Sequence, residues 1–426
     1  MQARKDYLRA AKKRDARFLT EEEMDEGREG PFVQIGRPIN AQSLFNRVVL
    51  QQLVTQAGPQ LRSFFEPQQL AIGTSHGMEA VAWGMKMTLE QHLLQQLDRD
   101  EDERDDYAIV AIDVKNAFNA FSRRKGMEVA IATIIEGTVD GQPGGEEWCP
   151  AATTLVRAFH AMSYATSDIY ASQADGNLAR ACGSDEGGPQ GSPVTGVIFA
   201  LLIQPLLRKF DGMPDVTVRA IADDITLCLK VDEHTADIIE ELCFDLREAC
   251  GCEVSQSKCG YYCPTGDPNE VRELMPEWLE PSYSAGGDPG VVVVGAPIGN
   301  DSFVTKWIEG EAGAIAARIR SSARQLGRTD AHAAWRALQL SFQTRFSYIL
   351  ATNFPRQTKE AAKIVDGALR DALVEVTGTD LWAKNTGASG WSEFTGKWML
   401  RDCTRHHFNT HSSPALSLLT PCRRHS

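Results

Sequence analysis

An α+β fold, in which an antiparallel sheet is backed by helices, is predicted by three features of this sequence. Short apolar stretches alternate with helical ones through its middle. Several of those stretches come in pairs around tight bends, which is how antiparallel neighbours are joined. The composition, 42% hydrophobic and 24% charged over 426 residues, is that of a globular chain. Its length suits one large mixed domain or a few subdomains with a real core.

The first thirty residues are polar, with a basic run at Lys12, Lys13 and Arg14 and an acidic one at Glu21, Glu22 and Glu23. Leu44, Val48, Val49 and Leu53 then fall at helical spacing, and "TSHGMEAVAWGMKMTLEQHLLQQL" reads as a second helix. The run "DRDEDERDD", 98–106, is a solvated loop without calcium-ligand spacing. "YAIVAIDV" reads as a buried strand and "NAFNAFSRRKGMEVAIATIIEG" as the helix after it. "SDIYASQADGNLARACG" is a hairpin with Asp-Gly at its turn, and "GGPQGSPVTGVIFALLIQPLL" a glycine-rich turn entering an apolar helix. In "VRAIADDITLCLK", period-two alternation on both sides of Asp223 and Asp224 marks two strands and a bend. An amphipathic helix follows in "HTADIIEELCFDLREACG", then a strand around "CEVSQSKCGYYC" and another in "GVVVVGAPIG". Residues 303–377 are helical and rich in arginine, and the tail from Gly378 has little periodicity. Helices are expected on one face of the sheet, leaving the other to line a cleft.

Several function classes are excluded at this level. No run of about 18 apolar residues stands out, so no membrane span is predicted. The charged N-terminus lacks the apolar core of a signal peptide, so a protein inside the cell, in cytoplasm or nucleus, is expected. The ten cysteines are then expected to be free thiols. A net charge of −13 argues against coating nucleic acid by bulk electrostatics. A local basic surface remains available. Between Ala312 and Arg370 the chain carries Arg318, Arg320, Arg324, Arg328, Arg336, Arg345, Arg356, Lys359, Lys363 and Arg370, against Asp330, Glu360 and Asp366.

The acids in the strands need a chemical reason. Asp113 closes an otherwise apolar strand, and Asp223 and Asp224 sit at a bend between two more. An unpaired buried carboxylate costs several kcal/mol. One carboxylate at the end of a central strand and two on a neighbouring hairpin can converge to bridge metal ions. That arrangement suits in-line displacement at phosphorus, with two Mg²⁺ ions roughly 3.5–4 Å apart, or Mn²⁺ as a substitute. Without metal, the acids repel and some take up protons.

"AIDVKNAFN", "GGPQGSP", "IADD", "EVSQSKCG" and "VVGAPIG" follow one another in an order that resembles the successive palm motifs of reverse transcriptases. The upstream "GRPIN", "FNRVVLQQL" and "FFEPQQLAIG" are similar to the fingers of the non-LTR (LINE-type) retrotransposon branch. The resemblance implies a right-hand polymerase with fingers over 30–107, palm over 108–300 and a helical thumb over 301–377. A polar segment, 1–29, and an irregular tail, 378–426, expected to be disordered, would flank it. It implies an RNA-directed DNA polymerase, a nucleotidyltransferase whose partners are an RNA template, a DNA primer or nicked target DNA, and dNTPs, with no membrane.

Carried over by position, Asp113 and Asp223 would be metal ligands, with the Val114 carbonyl as a backbone ligand. Asp224 would support the metal site or the primer end. Phe118 stands where the family has its steric gate, a ring that admits a deoxyribose and clashes with a 2′-hydroxyl. Gly187, Gly188 and Gly191 would let backbone approach a ligand, Gln190 would lie against the incoming nucleotide, and Ser192 and Pro193 would begin the supporting helix. Arg37 matches the arginine that clamps the triphosphate. Lys258 matches a lysine near the phosphates, and Gly295 falls in the primer-gripping hairpin. The basic helices would hold the template–primer duplex.

The sequence departs from the family at Ile221, where most members carry Tyr or Phe. No endonuclease or ribonuclease H pattern is present, so a fragment or truncated copy is expected. The tail holds Cys403, His406, His407, His411, Cys422 and His425 at spacings that do not match a zinc knuckle. The acidity and the missing domains support a second reading, a catalytically silent retroelement remnant that at most binds nucleic acid.

Overall fold

A computed structural model describes residues 44–378, apart from 101–102, 139–143, 146, 164–166, 173–177, 185, 189–190 and 284–286. In chain order the elements begin with α1 (Leu44–Phe65), α2 (Gly77–Gln95), β1 (Asp106–Asp113), α3 (Ala117–Ala120) and α4 (Arg123–Ala130). They continue with α5 (Pro150–Ser163), β2 (Ser167–Ser172), β3 (Leu178–Ser184), α6 (Pro193–Asp211), β4 (Val216–Ile221) and β5 (Asp224–Val231). Then come α7 (Thr235–Cys250), β6 (Gly260–Tyr262), α8 (Pro268–Leu274), β7 (Gly290–Val293) and β8 (Ala296–Gly299). Four helices close the described chain: α9 (Asp301–Thr329), α10 (Ala331–Leu340), α11 (Ser347–Thr352) and α12 (Pro355–Thr377).

The chain forms two compact units. One comprises Met1–Phe64, Asn116–Ile203 and Arg247–Cys252, the other Phe65–Lys115, Gln204–Leu246 and Glu253–Ser426. The second unit is built on an antiparallel sheet in the order β4-β5-β1-β6. An α+β fold is therefore what the chain adopts. Tyr107 and Ile109 face a core shared with Val81, Met85 and Leu89 of α2 and with Val291, Val293 and Ile298 of the β7–β8 hairpin. Ala108, Val110 and Ile112, which point the other way, are equally buried. The expected open face is thus covered for most of its length. A strand this continuously apolar needs cover on both sides. Along β1 only Asp106, Ala111 and Asp113 stay partly accessible.

The helices of the same unit have a core of their own, in which Ile308, Ile315 and Ile319 of α9 meet Ala361, Val365 and Ala368 of α12. Helices α9 and α10 begin on polar caps. Asn300 accepts from the Phe303 N–H at 2.7 Å and Asp330 from the Ala333 N–H at 3.0 Å, satisfying donors that the first helical turn leaves over. Gly378, at φ 66°, ends α12 in the left-handed conformation.

Three predicted elements differ from those observed. The helix expected after β1 is broken into α3, α4 and a π-helical stretch, Ile131–Glu136. Phe121 is extended and the Ser122 hydroxyl accepts from the Lys125 N–H, so a new helix starts there. "CEVSQSKCGYYC" is not one strand: Val254 makes a single bridge to Val114, a 3₁₀ turn covers 256–258, and only β6 follows. "GVVVVGAPIG" folds back on itself as β7 and β8, with Val294 and Gly295 both at positive φ (45° and 80°) in a two-residue turn. Positive φ at both central positions is what such a hairpin turn demands. On α1, Val48 and Val49 are exposed rather than buried. The 193–211 helix, α6, is long and apolar enough to pass for a membrane span by composition, but 67% of that stretch is buried inside the fold.

Candidate active site

The β4–β5 hairpin pairs Ile221 with Asp224, leaving Ala222 and Asp223 as its two-residue turn. Ala222 adopts φ 54°, a left-handed conformation without the glycine or asparagine that usually supplies it. On the neighbouring ladder Asp113 pairs directly with Asp224. Side chains of directly opposed residues share a face with Cβ atoms about 4.5–5.5 Å apart. The sheet therefore brings Asp113, Asp223 and Asp224 to one end, with Asp113 and Asp224 face to face.

Lys258, leaving the 3₁₀ turn, donates to Asp113 Oδ2 at 3.0 Å. The Asp113 N–H donates to Cys259 Sγ at 3.3 Å and its carbonyl accepts from the Ser255 N–H at 2.8 Å. The Val114–Val254 bridge is made through the Asp113 carbonyl and the Lys115 N–H, which bonds the Glu253 carbonyl at 2.7 Å. The Val114 carbonyl is thereby directed to the opposite edge. Burial pushes the Asp224 carboxyl up to about 6, with Asp223 and Asp113 adding to the rise and Lys258 opposing it. Burial raises the Tyr348 hydroxyl too, with Glu79 and Asp224 contributing, so this residue of α11 belongs to the same neighbourhood.

These residues fit a divalent metal. The donors are carboxylate and carbonyl oxygens, and the mutual repulsion that lifts Asp224 is what a bound cation relieves. Among the described residues, no group of three metal-binding side chains is already gathered around a point. Mg²⁺ does not need one, since it keeps water and phosphate in its shell and takes one or two carboxylates.

In the other unit, Phe118 lies on α3, half-buried, its ring edge-on to Phe199 with centroids 5.5 Å apart. The Gly188 N–H donates to the Phe118 carbonyl at 2.8 Å and the Gly187 N–H to the Phe121 carbonyl at 2.7 Å. A Cβ on Gly187 would stand 2.5 Å from the Phe118 carbonyl oxygen, and one on Gly188 2.5 Å from Thr195 Oγ1. Gly187 is therefore needed where it meets the Phe118–Asn119 backbone, and Gly188 where it meets the Thr195 side chain. Gly191 is exposed at φ 97°, and Pro193 opens α6 just after a buried Ser192. Arg37, Gln190 and the Cys/His tail lie outside the described residues.

Two features of the site were not read from the sequence. Cys259 stands behind the Asp113 backbone. Gln69, wholly buried, bonds both backbone groups of Ala222. Nothing local marks either residue, because each contact is made across the fold. The arginines of α9 are also less free than their count predicts. Arg320 pairs with Asp371 at 2.9 Å and Arg324 with Glu375 at 3.8 Å, acids lying just past the basic window.

Opposed carboxylates beside a lysine at the end of a sheet offer oxygen donors of the kind a divalent cation takes. Residues 36–275, more than half of the chain, match the family described as reverse transcriptase (RNA-dependent DNA polymerase), and the chain belongs to that family. No curated protein sequence matches it. Among solved structures it is similar to apo telomerase from Candida tropicalis, at 12% identity and a TM-score of 0.40, covering 83% of this chain and 59% of that one. A C-terminally truncated form of the same protein gives 12% identity and a TM-score of 0.39, covering 61% and 48%. Telomerase from Candida albicans with a telomeric RNA fragment gives 13% and 0.35, covering 86% and 56%. The chain thus spans about half the length of the telomerase chains it matches.

Proposed function

We propose that this chain copies RNA into DNA, extending a primer 3′-hydroxyl with dNTPs on an RNA template, as a polymerase of the non-LTR (LINE-type) retrotransposon branch. The observation that carries this reading is the Asp113–Asp224 pair, face to face at the end of the sheet in a chain of the reverse transcriptase family. The branch assignment rests on the fingers stretch that begins at "GRPIN".

Asp113 and Asp223, with the Val114 carbonyl, would hold Mg²⁺, or Mn²⁺ in its place, and Asp224 would support them. Bound there, divalent ions stabilise charge on the attacking hydroxyl and the leaving pyrophosphate. The remaining work is positioning, as expected where the transferred group already spreads its charge. Lys258 orients Asp113 and adds positive charge near the phosphates. Arg37 grips the triphosphate, Gln190 and Gly191 border the nucleotide, and Phe118 excludes a 2′-hydroxyl. Helices α9 to α12 contact the phosphates of the template–primer duplex, whose primer is a DNA end such as a nicked target.

Primer extension on a primed RNA template tests this reading, with dNTPs against NTPs and Mg²⁺ against chelator. Asp113→Asn and Asp223→Asn should each reduce extension by about 10²–10³-fold or more while circular dichroism stays unchanged. Normal extension by either variant overturns the assignment. Phe118→Ala should admit ribonucleotides, and unchanged sugar selection would remove its role as a gate.

A further inference from the structure

Gln69 lies 153 residues from Ala222 in sequence and is completely buried. Its Oε1 accepts the Ala222 N–H at 2.9 Å, and its Nε2 donates to the Ala222 carbonyl at 3.2 Å. Oε1 also accepts the Ala71 N–H at 3.1 Å. Beside it, the Leu70 N–H bonds the Ala220 carbonyl at 3.0 Å and the Ala220 N–H bonds the Gln68 carbonyl at 2.7 Å. Backbone pairing of β4 with residues 68–70 therefore stops at Ala220, and a side-chain amide continues it onto the turn.

The arrangement solves two problems at once. A left-handed alanine is strained relative to a right-handed one. A buried carboxamide without partners is destabilising. Gln69 is satisfied by Ala222 only while the turn keeps this shape, so each group holds the other in place. Ala222 immediately precedes Asp223 and Asp224. We propose that Gln69 is a positioning residue, which sets the β4–β5 turn so that Asp223 and Asp224 are presented to metal together with Asp113. The inference rests on the polymerase reading for its catalytic consequence but not for its metal-binding one.

Gln68 supplies the comparison. It too is buried, donating to Asp211 Oδ2 at 2.6 Å and accepting from Gln204 Nε2 at 3.2 Å, and its side chain serves the α6 side of the core. A purely structural role would make the two glutamines equivalent. The test compares Gln69→Ala, Gln69→Glu and Gln68→Ala in the full chain, using Mn²⁺ binding by electron paramagnetic resonance, thermal melting and the Mg²⁺ dependence of primer extension. Gln69→Glu keeps the size of the side chain and, ionised, loses the donor to the Ala222 carbonyl. Both Gln69 variants should weaken Mn²⁺ binding roughly 10- to 100-fold, the range expected when a partner orienting a metal ligand is lost. The Mg²⁺ concentration for half-maximal extension should rise in parallel. Gln68→Ala should lower the melting temperature and leave Mn²⁺ affinity unchanged. A folded Gln69→Glu that binds Mn²⁺ like wild type overturns the proposal, as does an equal loss in Gln68→Ala. A wild-type chain that binds Mn²⁺ but extends no primer defeats the polymerase reading instead, and the binding comparison still decides the role of Gln69.

Discussion

Asp224 holds its proton more tightly than an ordinary carboxyl does. Burial, Asp223 and Asp113 push its carboxyl from 3.8 to about 6. A folded pKa above the unfolded one means the folded chain binds this proton more tightly. The stability associated with it is present below the unfolded value and lost as pH rises through the folded one. Asp224→Asn should therefore raise the melting temperature at pH 7.5 in chelator, and the gain should vanish below about pH 4, where both states are protonated. Melting that is identical at pH 7.5 would contradict the shift. Ile221, where an aromatic was expected, packs against the core beside the start of α2. Its Cδ1 would lie 3.3 Å from a Cβ on Gly77, where α2 begins, and a Cβ there would also meet the Leu70 carbonyl oxygen at 2.1 Å.

Among the elements, the β7–β8 hairpin shows how a strained turn is retained. Val294 is β-branched and has φ 45°, a conformation such residues rarely adopt. Its carbonyl accepts from the Tyr348 hydroxyl at 2.7 Å, so α11 fastens the turn that also contains Gly295. Tyr348→Phe leaves that carbonyl without its partner and should destabilise the fold by about 1–3 kcal/mol in denaturant titrations. A loss below a few tenths of a kcal/mol would show that the bond is not needed. Upstream, Trp83 and Lys86 of α2 reach the end of α11, donating to the Ala351 and Thr352 carbonyls at 2.8 and 2.7 Å. Burial pulls the Lys86 ammonium down to about 8, so the charge of this anchor is costly at neutral pH.

For the molecule as a whole, charge is the central quantity. The chain carries −13, and the α9 arginines that face α12 are paired with Asp371 and Glu375. Exposed pairs of this kind are worth only about 0.2–1 kcal/mol, so phosphates can displace them. Joint substitution Asp371→Asn and Glu375→Gln should tighten binding to a primer–template duplex several-fold at low salt, with the gain shrinking as salt rises. Unchanged affinity at low salt would remove α9 from the nucleic-acid surface.

The fold class, most of the helices and the acidic strand ends were legible in the sequence, because each leaves a local signature. Alternation around Asp223 and Asp224 predicts the hairpin, the apolar run before Asp113 predicts the central strand, and the order of the motifs predicts the family. What the tertiary structure alone decided is non-local. Register places Asp113 opposite Asp224, where a slip of one residue would turn Asp113 to the other face. Lys258 reaches Asp113, and Gln69 reaches Ala222, through bonds whose partners are more than a hundred residues apart. The family resemblance places Gly295 in a hairpin, but that Val294 beside it also takes a positive φ, with its carbonyl bonded to the Tyr348 hydroxyl of α11, is visible only in the packed chain. Local pattern determines which segments pair and which residue types they carry. Only the packed chain determines which atoms meet, because buried polar groups must find their partners wherever the fold brings them.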